Sequence, residues 1–418
     1  MMEFDRLCTL LSFTAEEKEK AGKNRELYSG NDSLPEFLTV GFFDRCKNLT
    51  SLPENRLLQA EKAVAEVCEI ARNSPALRAY CNFLYDLTIN REVSPSTDIP
   101  EAAALLKENS GVPAVLVAFA IYPAIRAAHM KLGIPEKYSQ AAVFTWACGT
   151  TDIYFRNKGC FGMYYRQLYW LRYSLDGKIF RIGRFEYQLH DRIMPELPLY
   201  RNSQGELLMF APPSWLISPD GERTAEADKD GVWQPSFSDS NGKVCGNVID
   251  RQSTRIERKL TVLDRKEWSP AIVDGDLVPD IHIPGGGGMT LEIIKASLEE
   301  AVYFFKTFFH RQVKAFVCTS WILNPDWQKE LPDSNIAAFQ KEVYLYCFDL
   351  HPQSGMFFVF GKVDGDKKDF PADNSIRKAF HRIWDSGRTL RTGGMVLMAD
   401  QIPEFGKSTA KKLPRNQS

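Results

Sequence analysis

Four consecutive glycines, Gly285, Gly286, Gly287 and Gly288, sit between His282 and Thr290 in the stretch PDIHIPGGGGMTLEII. Glycine loses more backbone entropy on folding than any other residue, so a run of four belongs where positive φ or close backbone approach is required. A strand that enters such a turn and leaves it as a helix aims unpaired N–H groups at one point. The helix dipole adds partial positive charge there. That is chemistry for a phosphate, with the four glycines, Met289 and Thr290 as the candidate contacts. A plain connecting loop is the competing reading. There is no GxxxxGK[ST], which disfavours a nucleoside triphosphatase, and GxGxxG fails because its sixth position is Thr290.

Side chains able to move protons stand nearby in sequence. His282 suits a general base, since imidazole titrates near neutrality; otherwise it is a strand histidine that holds the loop by a hydrogen bond. Glu186, in GRFEYQ, can deprotonate an amine or be an exposed strand carboxylate. Cys318, in KAFVCTSWIL, can form a covalent intermediate if its strand neighbours that of His282. A cysteine in so apolar a run is otherwise a buried, inert thiol. Trp321 and Trp327 line an acceptor pocket or pack in the core. Ser334 and Asn335 offer polar contacts, or form the N-cap of the helix that IAAF begins. His129 reads as a core histidine. No carboxylate pair marks a strand end, so a glycan hydrolase has no support. The nine cysteines show no CxxC spacing, and no metal site is expected.

These residues need a frame. At 418 residues the chain exceeds what one core usually serves, so two domains are expected. The fold class is α+β, with a helical N-terminal domain over 1–150 and a mixed α/β domain over 151–418. A loop-rich insertion is expected near 218–250, where Ser, Asp, Gly and Asn accumulate. In LPENRLLQAEKAVAEVCEIARN, Leu57, Ala60, Ala63, Val64, Val67 and Ile70 make a helical stripe after Pro53. From Ile281 the order reads strand, glycine loop, helix, strand, helix, strand, strand. The first of those helices is capped by Thr290 and carries Leu291, Ile294, Leu298, Ala301, Val302 and Phe305 on one face. KAFVCTSWIL is a strand buried on both faces, NIAAFQKEV a helix, and VYLYCFDL with GMFFVFGKV an antiparallel pair.

Charge and composition narrow the class. With 52 basic and 53 acidic residues the net charge is -1, which gives no footprint for nucleic acid. GVPAVLVAFAIYPAIRAAHM is broken by Pro113, Pro123 and Arg126, and is expected as a buried helix rather than a membrane insertion. The start has acids before a very short apolar run, unlike an export signal, and scattered cysteines suit a reducing compartment. A cytoplasmic location is expected. The basic end KSTAKKLPRNQS is expected to be disordered.

FRIGRFEYQ, HIPGGGGMTLEIIKASLEEAVYFF and FVCTSWILNPDWQKELPDSNIAAFQ resemble a two-domain bacterial acyltransferase family. That family joins a helical N-terminal domain to a GNAT-like (N-acetyltransferase-like) C-terminal domain. The spacing His282-x-x-Gly285-x-Gly287 is similar to the acetyltransferase loop [QR]-x-x-G-x-[GA], with His at the first position. The resemblance is best over 180–345, weak before 150 and absent over 218–250. It implies that an acyl group moves from acyl-CoA, acetyl-CoA or an acyl carrier protein to a small-molecule acceptor, by direct attack on the thioester. The glycine loop would then hold the phosphate-bearing arm, and backbone N–H groups the tetrahedral oxyanion. The sequence departs from the pattern at one point. GNAT enzymes often use a tyrosine after the fifth strand as acid for the leaving thiolate, and NPDWQKELPDSNIAAFQ contains none. A non-catalytic ligand-binding or interaction protein that keeps the fold is therefore the competing expectation.

Overall fold

The computed structural model describes residues 2–94, 97, 99–190, 197–251 and 253–407, so most of the basic C-terminal stretch lies outside the described residues. By contact the chain forms two units, Met1–Ile182 with Pro284–Gly287, and Gly183–Ile283 with Gly288–Ser418.

The first unit is helical. α1 (Glu54–Asn73) buries Ala60, Ala63, Val64 and Val67, the stripe read from the sequence. α2 (Pro75–Ile89) begins on Ser74, whose hydroxyl accepts the Leu77 N–H, and Pro75 fits the first turn because its missing N–H needs no partner. α3 (Val112–Ala120) is buried over nearly its whole length, and α4 (Tyr122–Lys131) follows after Ile121. The apolar stretch expected as one buried helix thus becomes a buried helix, α3, and a second, α4, that buries only Ile125 and His129. α5 (Trp146–Lys158) stops at Gly159, whose φ of 76° is the left-handed geometry that ends helices. Helical structure continues to Trp170–Leu175 before β1 (Ile179–Ile182). His129 on α4 is fully buried with Nδ1 2.9 Å from Ser139 Oγ. Burial lowers its pKa to about 4.

In the second unit the order is β2 (Phe185–Gln188), β3 (Leu199–Asn202), β4 (Leu207–Phe210), β5 (Phe237–Ser240), β6 (Lys243–Ile249), β7 (Ile256–Asp264), β8 (Trp268–Pro270) and β9 (Asp280–His282). There follow α6 (Leu291–Phe308), β10 (Ala315–Ser320), α7 (Asn335–Glu342), β11 (Tyr344–Leu350), α8 (Met356–Phe360), α9 (Ser375–Asp385) and β12 (Arg391–Met398). One sheet runs β2-β9-β10-β12-β11, and the other β5-β6-β4-β3-β8 with β7 also on β6. β9 and β10 are parallel, as a helical crossover through α6 requires; β2 on β9, and β12 on both β10 and β11, are antiparallel.

Each face of the first sheet has its own cover. Ala315, Val317, Tyr344, Tyr346, Val396 and Met398 pack with Leu199, Met209, Ile249 and Ile256 of the second sheet. On the other face Tyr187 sits 5.4 Å from Phe316 by ring centroids, and its hydroxyl is 2.9 Å from Ser297 Oγ on α6. α6 buries Ile294, Ser297, Leu298, Ala301, Phe304 and Phe305. Each fully buried aliphatic or aromatic side chain contributes about 1.5–3 kcal/mol.

Two sequence expectations change. Residues 218–250, read as loop, include the β5–β6 hairpin, turned by Asn241 and Gly242 at φ 51° and 73°. Asn-Gly between strands is a hairpin signal that the polar composition concealed. GMFFVFGKV is not a strand. Gly355 and Gly361, at φ 80° and 78°, bracket the helical turn α8, which packs with Phe370 and Phe380. β11 pairs instead with β12, whose sequence RTGGMVLM carries two glycines that argue against a strand on composition.

Candidate functional site

Pro279 and Pro284 flank the three-residue β9, and the glycines follow. They differ in what requires them. Gly285 packs against α5, since a Cβ at Gly149 would lie 2.9 Å from Gly285 O and a Cβ at Gly285 3.4 Å from Gly149 O. Gly286 and Gly287 adopt φ of 74° and 63°, a region that penalises other residues. Gly288 has neither demand: a Cβ there would meet only Ile293 Cδ1, at 3.6 Å. Gly286, Gly287 and Gly288 are all exposed. Thr290 then caps α6, its hydroxyl accepting the Ile293 N–H. Arg184 donates from Nε to Gly288 O at 2.8 Å while only 7% exposed, which fixes a guanidinium beside the helix N-terminus. A positive group and a positive dipole end at one exposed loop favour an anion.

A second cluster lies on β2 and β9. Their register pairs Glu186 with His282 and Gln188 with Asp280, so the four side chains share one face. His282 Nε2 is 2.8 Å from Gln188 Oε1 and 4.0 Å from Asp280 Oδ2. His190, just past β2, brings Nε2 within 3.3 Å of the same carboxylate oxygen. With Gln188 Oε1 as acceptor, His282 Nε2 carries the proton and Nδ1 is the basic nitrogen. Burial holds the His282 pKa below its ordinary value; Asp280 pulls it back up, and His190 adds to the depression. The ring is therefore neutral near pH 7, the form a general base needs.

The strands extend this cluster sideways. On β10, Val317 lies beside Asp280, so Thr319 falls beside His282. Thr319 pairs with Gly394 on β12, and Gly394 with Tyr346 on β11. Glu186, His282, Thr319, Gly394 and Tyr346 thus form one row across five strands, on the face that also carries Val317 and Val396. Val317 and Val396 are buried under the second sheet, whereas Thr319 is exposed. Thr319 is thus an exposed side chain on a central strand, level with His282. The Tyr346 ring occupies the space beside Gly394, for a Cβ there would be 2.1 Å from its Cζ and 2.4 Å from its hydroxyl.

Of the residues singled out in the sequence, the structure brings His282 and Glu186 together. Cys318 is a correction. It alternates with Val317 and Thr319, on the face of Phe316, and so points away from His282. It is 1% exposed, and burial pushes its thiol well above the ordinary range, which keeps it protonated. The Cys–His pair required for a covalent intermediate is not formed. Trp321 packs against Trp327 and Phe380 and stacks on Phe358, with centroids 6.3–6.4 Å apart, in an aromatic core. Ser334 Oγ accepts the Ala337 N–H at 3.1 Å as the cap of α7, and Asn335 is that helix's first residue. Sequence reasoning passed over Arg184, Gln188, His190, Asp280, Thr319 and Tyr346. For Gln188 and Asp280 a signal existed: polar residues at every second position in FEYQ and DIH predict a shared polar face. No group of three side chains suited to a metal occurs among the described residues.

The family model of the GNAT-like C-terminal domain matches residues 179–397, more than half of the chain. Among solved structures, a mutant acyltransferase in complex with octanoyl-CoA is similar over 95% of this chain and 99% of its own, at TM-score 0.59 and 17% identity. An acyltransferase in complex with decanoyl-CoA and teicoplanin, and one in complex with CoA and 10C-teicoplanin, each align over 95% of this chain and 100% of their own, at TM-score 0.59 and 17% identity. No curated protein matches the chain. The parallel β9–α6–β10 unit, the helical region ahead of it and the span of the match agree, and the chain belongs to the GNAT-like C-terminal domain family.

Proposed function

We propose that the protein transfers an acyl group from acyl-CoA to a nucleophile on a small molecule, by direct attack on the thioester. The observation that carries this reading is the exposed glycine turn that passes from β9 into the capped helix α6, with the Arg184 guanidinium held at Gly288. Support comes from fold neighbours whose structures hold CoA, octanoyl-CoA or decanoyl-CoA, two of them together with teicoplanin or 10C-teicoplanin. The N–H groups of Gly286 to Thr290 hold the phosphates of the donor. His282 takes the proton from the attacking N–H or O–H, and Asp280, 4.0 Å away, stabilises the imidazolium that results. Glu186, level with His282, orients the acceptor. We place this chemistry in the cytoplasm, where nine free cysteines stay reduced.

Gly288 gives the cleanest test, because its replacement meets neither strain nor a clash in the protein itself. Calorimetry with CoA and octanoyl-CoA is expected to show binding by the wild type. Gly288→Val should weaken it by roughly tenfold or more, the loss of about one close phosphate contact, with an unchanged melting temperature. No binding of either ligand by the wild type removes CoA from the reading and leaves an acyl carrier protein as donor. Equal binding by both proteins reduces the glycines to a hinge.

A further inference from the structure

We propose that β7 forms a two-fold interface with a second copy of this chain, the two strands pairing antiparallel about Thr261. Among the described residues β7 pairs with β6 alone, so its far side is a free sheet edge. Which groups that edge presents follows from β6. Asn247, opposite Leu260, donates its N–H to Ser236 O and accepts the Ala211 N–H, so neither group turns towards β7. In an antiparallel ladder the residue opposite then points its own N–H and C=O outward, and alternation adds Val262 and Asp264 to Leu260. Arg265, the next residue, donates inward to Gly242 O, as that alternation requires. The side chains of this edge are open as well: Leu260 and Val262 are 48% and 56% exposed. A free edge with exposed apolar side chains is a template for another strand.

Charge complementarity selects the second copy as the occupant. Only registers that oppose even-numbered residues join the two outward rows, so successive choices differ by a slide of two residues. With the axis at Thr261, Leu260 faces Val262 of the second copy and the reverse, each pair exchanging both of its N–H···O bonds. The same register sets Arg258 against Asp264 and Glu257 against Arg265, and symmetry repeats each pair. Arg258 lies over the Trp233 ring at 5.5 Å and Asp264 Oδ1 accepts the Lys266 N–H at 2.8 Å; neither makes an ion pair among the described residues. Arg265 already holds Asp239 at 3.1 Å, which makes Arg258 with Asp264 the sharper marker. A slide one way opposes Arg258 to Lys266 and Lys259 to Arg265. A slide the other way leaves Arg258 facing Val262 and opposes Arg255 to Arg265. Of these registers, the one about Thr261 alone matches charge with opposite charge.

The test is sedimentation velocity on the full chain across a dilution series at low salt. A single strand pair is small among stable interfaces, so a Kd on the order of 10 µM is expected. The wild type should then be mostly dimer at about 100 µM and mostly monomer at about 1 µM. Arg258→Glu and Asp264→Lys each place like charges in both symmetric pairs, and each should weaken dimerisation by about tenfold or more at an unchanged melting temperature. The double variant restores opposite charges with the sense reversed and should recover the wild-type dimer. A wild type that stays monomeric at about 100 µM overturns the proposal and leaves the edge to a strand of a different chain. A dimer that neither single reversal weakens overturns β7 as its seat, and one that the double variant fails to recover overturns this register.

Discussion

Two neighbours pull the proton affinity of His282 in opposite directions, with the Asp280 carboxylate raising it and His190 lowering it, while burial decides the net depression. A base with a depressed pKa is in its active, neutral form above that value, so the acid limb of kcat/KM is expected below the ordinary histidine value of about 6.5. Asp280→Asn removes the one raising influence. The limb should then move to still lower pH, and the rate should fall because the imidazolium loses its stabilising charge. A pH–rate profile on both proteins checks this. A limb that stays put, or moves up, means that a group other than His282 is titrating. The same residues show why half the cluster was overlooked in sequence. His282 announces itself by its distance from the glycines, but Thr319 and Gly394 acquire meaning only from strand register, which no local pattern encodes.

At the scale of single elements, the helices were the most legible. The stripe on α6 and its Thr290 cap are local signals, and the helix runs from Leu291 to Phe308. α8 was not legible, because five apolar residues suit a strand and a helical turn equally, and only the left-handed glycines at its ends decide. α4 carries a testable consequence of its burial. His129 has a folded pKa of about 4, below its ordinary value. Above about pH 6.5 both folded and unfolded chains hold it neutral, and its contribution to stability is complete. As pH falls from there towards 4 the unfolded chain binds the proton first, and stability drops by about 3 kcal/mol in all. His129→Gln should flatten that part of the curve, as denaturant unfolding at pH 7 and 4.5 would show. An equal acid loss in the variant assigns the effect to other groups.

Over the second unit as a whole, charge is threaded through the structure as a chain of ion pairs. Arg391 joins Glu222 at 2.7 Å and Asp326 at 3.5 Å, Arg388 joins Asp326 at 2.7 Å and Glu330 at 2.5 Å, and Arg382 reaches Glu330 at 2.7 Å. Asp326, which bridges Arg391 and Arg388 as Glu330 bridges Arg388 and Arg382, is 11% exposed. Asp326→Ala leaves two arginines short of a partner and should destabilise by about 3 kcal/mol or more. Thermal unfolding would reveal it, and a loss below about 1 kcal/mol would make the network an ordinary surface feature. The division into units has a further consequence. Pro284–Gly287 counts with the first unit, while the residues on both sides of it count with the second. The backbone therefore passes between units at three places, after Ile182, Ile283 and Gly287. No single scission of the polypeptide yields both units whole. A fragment beginning at Gly183 would carry these four residues away from the first unit, and with them Gly285 away from the Gly149 backbone it packs against. For anyone building chimaeras from related chains, the helical unit is not a detachable cassette: it must be exchanged together with a tetrapeptide encoded a hundred codons downstream, at about residue 284.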